Sequence, residues 1–433
     1  MQLLDLKNLA SSCVKCGKCI PSCTIYQVNR DETTSPRGFL DLLGAYKDGK
    51  LPLDSNAKKI FESCFLCTTC VSVCPASLPT DLAIESVRVE IAKEYGISWY
   101  KRAYFFLLRH RKWADFVFSF LAFIAPCAFK SETYKGEKTK LCARSFVFGL
   151  KGRSIFPFVK KSFLQRHGGE KGALDSQAQD SQTQSRVAIF IGCISNYNYP
   201  NVGESLLKIL NKLNISYFVP KSQECCGAPA FFTGDIQTVL FLVKKNIEYF
   251  ESFWDEIDAM LIPEATCAAM LKVDWKHALE LSGESEWVKR LEKLLPKIHM
   301  ASAWLQRQTD LTKHLQEGKQ QESVTYHDPC HARKVLGIHK EPRALLSKNF
   351  NLIEMQDSAR CCGFGGISMQ SSNYALTLKA GTPKAEDIEN SKAQIVSAEC
   401  GACRMQITNT LDSIGSKVRF IHPLELLAEN LKS

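Results

Sequence analysis

The sequence lacks the patterns that would place it in several common classes of protein. Its first residues show neither a basic segment nor an apolar run, so no signal peptide is predicted and a cytoplasmic location is expected. The uncharged stretch FVFSFLAFIAPCAF, at 116–129, is too short to span a bilayer. No G-x-G-x-x-G follows a strand-like run and no G-x4-G-K-[ST] occurs, which argues against a flavin or nicotinamide site. No Ser–His–Asp or paired-carboxylate pattern stands out, so no catalytic residue is assigned.

Cysteine, by contrast, is abundant. The 433 residues include 19 cysteines, and all but Cys127 and Cys142 fall into spaced groups. In a reducing compartment, grouped cysteines indicate metal binding or redox chemistry more often than disulfides. Cys127 and Cys142 fit no motif and are interpreted as small buried hydrophobic residues.

Positive charge is concentrated in one part of the chain. The formal net charge is +10, and residues 101–170 hold 15 Lys and Arg against 4 Asp and Glu. Aromatic residues are interleaved with this charge, which favours contact with an acidic partner protein or with an anionic membrane surface on the inner face of the cytoplasmic membrane. A core helix or a solvated basic face is the alternative. Nothing in the sequence indicates nucleic-acid binding.

Two cysteine runs near the N-terminus have the spacing of a two-cluster ferredoxin. CVKCGKCIPSC and CFLCTTCVSVCP both follow C-x2-C-x2-C-x3-C, in which the fourth cysteine ligates the cluster of the other run. The pattern therefore predicts two 4Fe-4S clusters. One is predicted to be held by Cys13, Cys16, Cys19 and Cys74, and the other by Cys64, Cys67, Cys70 and Cys23.

Two zinc sites are the alternative for these runs. Zinc motifs normally pair two C-x2-C ribbons and do not need four cysteines in each run, so the spacing favours iron-sulfur clusters. Thr24 stands where a proline is expected after the first run, a change that alters the turn and costs no ligand. The residues between the runs and DLAIESVRVEIAKEYG (81–96) have helical patterns, which predicts a helical ferredoxin domain.

From residue 187 onward the pattern becomes α/β and repeats itself. RVAIFIGC, ISYFVP and DAMLIPEATC have counterparts in SVTYHDPC, FNLIEM and AQIVSAEC at a nearly constant offset. Helical patterns separate these apolar runs, which predicts parallel strands and an internal duplication. Each cysteine group follows a strand, where open α/β sheets build their sites.

Each half of this duplication carries a lone cysteine, an adjacent pair and a final group. Adjacent cysteines form a strained disulfide ring, whereas neighbouring thiolates can bind neighbouring irons of one cluster. Gly227 and Gly363 follow the pairs and allow a tight backbone turn there. The candidate ligands of the first half are Cys193, Cys225, Cys226 and Cys267. Those of the second half are Cys330, Cys361, Cys362, Cys400 and Cys403.

The predicted architecture is an α+β multidomain chain. It comprises a helical ferredoxin domain at 1–96 and a basic, aromatic, helical segment at 97–166. The polar, Ser- and Gln-rich residues 167–186 are predicted to form a flexible linker. Two α/β repeats with parallel strands follow, which we call repeat one (187–322) and repeat two (323–433).

These motifs resemble the cysteine-rich CCG family, which includes the iron-sulfur subunits of glycolate oxidase, of anaerobic glycerol-3-phosphate dehydrogenase and of lactate-utilisation systems, and heterodisulfide reductase B. CVKCGKCIPSCTIYQVNRDETTSPRG, CFLCTTCVSVCPASLPTD and YHDPCHARKVLGIHKEPR carry the resemblance. The glycolate type places a ferredoxin domain first, as here. The resemblance implies an electron-transfer subunit of a flavin-dependent 2-hydroxy-acid oxidoreductase, with a flavoprotein subunit as partner and a quinone or similar acceptor. It implies no turnover by this chain alone.

One position departs from the family pattern. Repeat two ends in CGAC, so the resemblance implies a five-cysteine cluster there. Repeat one has CAAM, and Met270 stands where the last cysteine would be. The sequence therefore leaves three possibilities for repeat one, namely a cluster, a zinc ion or no bound metal. A disulfide reductase is the alternative function, and Met270 weighs against it because the heterodisulfide enzymes use two complete motifs.

Four further residues near the cysteines leave two interpretations open. His327, Asp328 and His331 surround Cys330, where a histidine either donates a hydrogen bond or a proton at a cluster or simply closes a strand end. Arg37 either places positive charge near a cluster or begins a helix after Pro36.

Overall fold

Short helices separate the two cysteine runs in the N-terminal part of the protein. The computed structural model describes residues 5–134, 137–144, 153–172, 186–318 and 320–432. The helices of the N-terminal part are α1 (Leu6–Ser11), α2 (Thr24–Asn29), α3 (Pro36–Lys47), α4 (Ser55–Glu62), α5 (Thr69–Val73) and α6 (Thr80–Tyr95), with a 3-10 turn at Glu32–Thr34. The predicted helical ferredoxin domain is confirmed in its fold class.

Side-chain caps fix where several of these helices begin. The Asp5 carboxylate accepts hydrogen bonds from the amides of Lys7 and Asn8 at the start of α1. The Ser35 hydroxyl accepts one from the Gly38 amide at the start of α3. Such caps satisfy amide groups that a helix leaves without a partner. The two cysteine loops follow α1 and α4, both of which begin at a capping aspartate, and lead into α2 and α5.

The segment 97–166 is helical only in its first half. It contains α7 (Trp99–Arg109) and α8 (Arg111–Ala128), and then an antiparallel sheet of β1 (Phe129–Tyr134), β2 (Glu137–Ala143) and β3 (Ser154–Ile155). Strands β1 and β2 form a hairpin in which Phe129 pairs with Ala143. No strand was predicted here, because these residues do not alternate regularly between polar and apolar.

The predicted linker at 167–186 begins inside the folded structure. Helix α9 (Phe163–His167) reaches its first residue, and strand β4 (Lys171–Gly172) pairs antiparallel with the sheet of repeat one. The rest of the predicted linker, 173–185, lies outside the described residues.

Repeat one contains a sheet whose four main strands are parallel. The strands are β5 (Arg186–Ile189), β6 (Ser216–Phe218), β7 (Ala259–Ile262) and β8 (Ile298–Met300), in the order β4-β6-β5-β7-β8. The helices are α10 (Cys193–Tyr197), α11 (Asn201–Lys212), α12 (Ala228–Phe231), α13 (Ile236–Glu251), α14 (Ala265–Ala269), α15 (Trp275–Leu281), α16 (Ser285–Leu294) and α17 (Ala301–Gln308). Shorter helical turns cover Trp254–Glu256, Met270–Asp274, Leu295–Lys297 and Leu311–Lys313, of which Met270–Asp274 is a π-helix.

Repeat two contains a smaller, all-parallel sheet. Its strands are β9 (Ser323–Tyr326), β10 (Asn351–Leu352), β11 (Ile395–Ser397) and β12 (Arg419–Phe420), in the order β10-β9-β11-β12. Its helices are α18 (Lys340–Leu346), α19 (Gly366–Ser372), α20 (Tyr374–Asn390), α21 (Gly401–Ser413) and α22 (Pro423–Glu429), with a π-helix at His331–Val335.

The two sheets share one topology. Counted within each repeat, the strand order is second, first, third, fourth in both sheets. The first and third strands are neighbours in each case, as the pairs Val187–Ala259 and Val324–Ile395 show. The predicted duplicated α/β fold is thereby confirmed. In this order the connections leave the first strand in opposite directions, which opens a crevice at the carboxyl ends of the strands.

The ferredoxin part packs against both repeats. Arg88 of α6 is buried and donates hydrogen bonds to the carbonyls of Phe61 and Cys64, at 3.1 and 2.7 Å, and of Phe232 in repeat one, at 2.8 Å. A Cβ atom at Gly234 would lie 2.1 Å from the Arg88 carbonyl oxygen, so only glycine permits this approach.

The same apolar core also extends into repeat two. Met369 and Ala380 lie in one buried cluster with Phe39 and Phe61 of the ferredoxin part. The cysteine loops of the ferredoxin part are therefore held against the loops of repeat two.

Within the described residues, no helix combines the length and the apolar character that a bilayer crossing requires.

Candidate metal centres

The second ferredoxin run and one cysteine of the first run line a single cavity. Cys23, Cys64, Cys67 and Cys70 face it, together with Asp81 of α6. Cys23 lies at the N-terminus of α2, and the others come from the loop before α5 and from α5 itself. These are the four cysteines that the spacing grouped into one cluster, and the structure brings them together.

Burial makes three of the four thiols of this cavity difficult to ionise without a nearby cation. It raises the pKa of Cys23 to about 12 and that of Cys64 to about 11, and it raises the pKa of Cys70 well above its usual value. The neighbouring Cys361 and Lys334 instead lower the pKa of Cys67. Iron is bound by thiolates, so the ligands must lose their protons when a cluster binds. Four thiols around one cavity fit an iron-sulfur cluster, because its iron supplies positive charge at that place.

The first ferredoxin run lies nearer the surface. Cys16 is exposed, whereas Cys13 and Cys19 are half-buried. Burial raises the pKa of Cys19, and the neighbouring thiols Cys13 and Cys16 raise it further, which places the three side chains together. Cys74 is half-buried at the end of α5 and stays a predicted ligand of this group.

In repeat one the predicted thiols form a chain of contacts at the carboxyl ends of the strands. The Cys193 side chain interacts with that of Cys225, and the Cys226 side chain interacts with that of Cys267. The Cys225 Sγ accepts a hydrogen bond from the Gly227 amide at 3.4 Å. The structure thus brings all four predicted cysteines of this repeat together.

Two further side chains belong to the repeat-one site. The hydroxyl of Tyr104, from α7, lies near the Cys193 thiol, and burial together with the nearby thiols holds the pKa of Tyr104 well above its usual value. Met270 is fully buried in the π-helix that follows α14. It packs in the same core as the thiols and offers them no fifth thiolate. Sequence spacing did not indicate Tyr104, because it lies on a distant helix that carries no cysteine motif.

In repeat two the thiols converge more closely. The Sγ atoms of Cys362 and Cys403 lie 3.3 Å apart, and the Cys400 Sγ accepts a hydrogen bond from the Cys403 amide at 3.4 Å. The Cys361 side chain interacts with that of Cys330. A disulfide bond is about 2.05 Å long, and all 19 cysteines of the chain are free. The five thiols are therefore gathered without being bonded to one another, as a set of metal ligands is.

Gly363 shapes the loop that carries the cysteine pair of repeat two. Its amide donates to the Cys361 Sγ at 3.4 Å, and its φ is +82°. A Cβ atom here would lie 2.7 Å from the backbone nitrogen of Gly381, so a larger residue cannot be accommodated. Amide hydrogen bonds to cysteine sulfur are among the interactions that set the potential of a bound cluster.

His327 belongs to the same group of side chains. A ring nitrogen of His327 and the Sγ atoms of Cys362 and Cys403 lie within 4.8 Å of one another, and all three residues are buried. Burial lowers the pKa of His327, so the ring is neutral and can donate one N–H to sulfur or ligate a metal through its free nitrogen. Of the two interpretations open for His327, its position favours the functional one.

The second ferredoxin site and the repeat-two site touch each other. The Cys67 and Cys361 side chains are close enough to interact across the boundary between the two parts. The Lys334 Nζ lies 3.9 Å from the Cys330 Sγ and 3.5 Å from the Cys67 carbonyl oxygen, and it donates to the Thr69 hydroxyl. An ammonium group therefore lies between two sets of thiols. The sequence did not indicate this, because spacing within a motif does not show which motifs meet.

Two of the other residues around Cys330 have structural roles. The Asp328 carboxylate is fully buried and forms ion pairs of 2.5 Å with Arg333 and with Arg343. The His331 ring stacks on the Phe232 ring with centroids 5.6 Å apart, and burial lowers the pKa of His331 to about 4. Both contacts hold the loop after β9 in place.

Arg37 lies beside the first cysteine run and also begins a helix. It is in the first turn of α3, its Nη1 donates to the Lys15 carbonyl at 3.3 Å, and its Nε pairs with Glu32 at 2.5 Å.

The interpretation of Cys127 as buried is wrong, because it lies near the end of α8 on a side that faces solvent. Cys142 is half-buried.

Comparison with known families matches the two kinds of site. The profile described as "4Fe-4S dicluster domain" matches residues 9–78. The profile described as "Cysteine-rich domain" matches twice, at residues 187–272 and 324–408. The two matches lie within repeat one and repeat two.

Curated relatives extend the match over almost the whole chain. A probable glycolate oxidase iron-sulfur subunit of Bacillus subtilis is 26% identical over 432 residues, which cover 96% of this chain and 93% of that protein. A fumarate reductase (CoM/CoB) subunit of Methanothermobacter marburgensis is 28% identical, over 98% of this chain and 72% of that protein. Lactate utilization protein A of Geobacillus thermodenitrificans is 30% identical over 56% of this chain and 98% of its own length. The gathered thiols, the duplicated sheets and these matches together show that the chain belongs to the family of iron-sulfur proteins with cysteine-rich CCG domains that includes glycolate oxidase iron-sulfur subunits and lactate utilization protein A.

Proposed function

We propose that this chain is the iron-sulfur electron-transfer subunit of a flavin-dependent 2-hydroxy-acid oxidoreductase of the glycolate oxidase type. A separate flavoprotein subunit oxidises the substrate, and electrons leave toward a quinone or similar acceptor at the inner face of the cytoplasmic membrane. The single observation that carries the proposal is the contact between Cys67 and Cys361, which joins the ferredoxin site to the repeat-two site. Glycolate, lactate and glycerol 3-phosphate are candidate substrates, in that order.

The chain's own residues hold, bury and tune these centres. Two 4Fe-4S clusters in the ferredoxin part and a further cluster in repeat two, when bound, supply one-electron redox chemistry. Eight ferredoxin cysteines and the five thiols of repeat two provide thiolate ligands. In repeat one, four thiols are available for a cluster or a zinc ion. The amides of Gly227 and Gly363 donate to cysteine sulfur, and the buried loops exclude water from the thiols.

Metal analysis of anaerobically prepared protein tests the cofactor assignment. Twelve or more irons per chain support clusters in the CCG repeats, whereas about eight irons with some zinc support a zinc-holding scaffold there. Replacement of a single ligand should remove about four irons. We therefore expect Cys64→Ser to lose about this amount, whereas Cys127→Ser, at an exposed cysteine outside every motif, should lose none. A colourless wild-type protein without a paramagnetic signal after dithionite treatment would contradict the proposal.

Reduction by a flavoprotein tests the subunit assignment. Glycolate alone should leave the visible absorbance of the isolated chain unchanged, because the sequence offers no flavin site. Glycolate together with a glycolate-oxidising flavoprotein subunit should bleach it. Turnover of glycolate by the isolated, flavin-free chain would exclude the assignment.

The alternative function is reduction of a disulfide at the five-cysteine site. The observation that favours it is the close group of Cys362, Cys403 and His327 in repeat two. Met270 opposes it, because it leaves repeat one with four thiols. A disulfide-reduction assay with dithionite-reduced protein separates the two functions, since an electron-transfer subunit should show no catalytic turnover of the disulfide.

A further inference from the structure

Helix α8 turns four of its large aromatic side chains away from the protein. Trp113, Phe116, Phe120 and Phe123 are exposed, with Phe123 at 72% and Phe116 at 64%. Their spacing of three, four and three residues places them along one face of the helix. A surface helix of a globular protein normally has the opposite arrangement, with its apolar face toward the core.

The inner face of α8 is built from small side chains and from Phe118, whose ring stacks on the Tyr197 ring with centroids 4.4 Å apart. Its buried residues are Ala114, Ala122 and Ala125. Asp115 accepts a hydrogen bond from the Tyr197 hydroxyl at 2.9 Å, which fixes the helix to repeat one. The aromatic stripe is therefore held outward by a rigid attachment on the other side of the helix.

Positive side chains surround the stripe. Lys112 is exposed at its start, and Arg144 is exposed at its end, where it donates to the Pro126 carbonyl at 3.1 Å. The Ser119 hydroxyl donates to the Lys160 carbonyl at 2.8 Å, which holds the exposed residues Lys160 and Lys161 beside the middle of the helix. Aromatic residues with flanking lysine and arginine are the composition of helices that lie in the interface of an anionic membrane.

The size of the stripe favours a lipid surface over a protein partner. Four aromatic side chains of about 200 Å² each, a little over half exposed, present roughly 500 Å². A stable protein interface needs about 800 Å² from each partner. A single convex helix can insert an apolar stripe of this size at the level of the lipid headgroups without further area.

We infer that the outer face of α8 docks on a bilayer containing anionic phospholipid, with the aromatic stripe inserted and Lys112, Lys160, Lys161 and Arg144 against the headgroups. This rests on the proposed function and deepens it, by naming the surface that would bring the chain to a membrane-bound acceptor. The docking itself needs none of the clusters, so it can be tested separately from them.

Vesicle co-sedimentation of the anaerobically prepared full chain tests this inference. We expect binding to vesicles of phosphatidylcholine mixed with phosphatidylglycerol, weaker binding to phosphatidylcholine alone, and a fall in binding as salt is added. The double variant Phe116→Ser/Phe120→Ser should lower the partition coefficient at least about tenfold on both kinds of vesicle. Lys160→Glu/Lys161→Glu should lower it about tenfold on the anionic vesicles and leave binding to phosphatidylcholine unchanged.

The matched control is Leu51→Ser/Ile414→Ser, which removes two exposed apolar side chains outside α8 and should not change binding. Brominated lipid should quench part of the tryptophan fluorescence of the wild type, and Trp113→Phe should remove that part. Failure to bind either vesicle, or undiminished binding by the Phe116→Ser/Phe120→Ser variant, overturns the inference. So does a loss of flavoprotein binding in that variant with lipid binding unchanged. Because iron content is measured on the same samples, a failure of the cluster assignment is distinguishable from a failure of docking.

Discussion

At the scale of single residues, Lys334 has the most consequential position outside the cysteines. Its ammonium group lies 3.9 Å from the Cys330 Sγ and contacts the loop of Cys67 in the ferredoxin part. A fixed positive charge stabilises the reduced form of a neighbouring redox group, because reduction adds a negative charge. Lys334 therefore favours reduction of whatever is bound by the two adjacent sets of thiols.

Replacement of Lys334 by Met should lower the midpoint potential of the cluster held in repeat two. With the charge about 4 Å from a ligand sulfur and an effective dielectric constant of about 20, the expected fall is on the order of 100 mV. A dithionite titration monitored by electron paramagnetic resonance measures it. Lys334→Arg should keep most of the wild-type potential, and Lys340→Met, at an exposed lysine at the start of α18, should keep all of it. Equal potentials in Lys334→Met and Lys340→Met would show that the charge has no such role.

The sequence predicted which thiols lie together better than it predicted their surroundings. Ligand spacing grouped Cys23 with Cys64, Cys67 and Cys70, because consecutive ligands of one cluster must follow short fixed intervals. It did not indicate Tyr104 or Lys334, whose proximity to thiols depends on how separate helices and loops pack. It also misplaced Cys127, since an isolated cysteine carries no pattern that fixes its burial.

At the scale of elements, strands that precede a cysteine group were predicted, and the fourth strand of each repeat was not. Strands β5, β6, β7, β9, β10 and β11 lie before cysteine groups and stood out as apolar runs. No cysteine group follows β8 or β12 within its repeat, so the repeated motifs did not mark them. The β1–β2 hairpin was missed because the charge and aromatic content of 97–166 was interpreted as helical throughout.

Helix α22 begins at a histidine whose protonation state should govern local stability. The His422 Nδ1 accepts a hydrogen bond from the Leu424 amide at 3.1 Å, and Nε2–H donates to the Pro263 carbonyl of repeat one at 3.2 Å. This pattern requires a neutral ring. Burial, with a further contribution from the positive charge of Arg404, lowers the pKa of His422 from 6.5 to about 3.

The stability that neutral His422 provides should be fully present above pH 6.5, its unfolded pKa, and lost progressively as the pH falls toward about 3. Between about pH 7 and about pH 5 the free energy of unfolding of the wild type should fall by about 2 kcal/mol because of His422. The variant His422→Asn keeps a capping oxygen but does not titrate, so it should not show this loss. Melting temperatures at the two pH values measure this as a double difference, in which acid effects on the clusters cancel. His314→Asn, at a half-exposed histidine, should behave like the wild type. An equal pH response of wild type and His422→Asn would refute the linkage.

At the scale of the whole molecule, the ferredoxin part and the two CCG repeats form one packed unit. α6 contacts repeat one through Arg88, and the Cys67 loop contacts repeat two through Cys361. The sequence predicted each part as a separate domain, since domain order and composition carry no information on docking. The docking has a functional consequence, because it is what brings the ferredoxin thiols to those of repeat two.

Cleavage of the chain between 173 and 185 should therefore leave the two pieces associated. With a specific protease site introduced there, the cleaved holoprotein should elute as one species on gel filtration and separate only in denaturant. Arg88→Met leaves the Phe232 carbonyl of the other piece without its donor, at a cost of about 1–3 kcal/mol, so we expect about a tenfold weaker association of the pieces. Lys93→Met, at an exposed position of the same helix, is the matched control and should not weaken it. Separation of the wild-type pieces in native buffer would mean that the linker, and not the buried contacts of Arg88 and Cys67, keeps the ferredoxin sites beside repeat two. The contact between Cys67 and Cys361 could then not support a continuous electron-transfer unit.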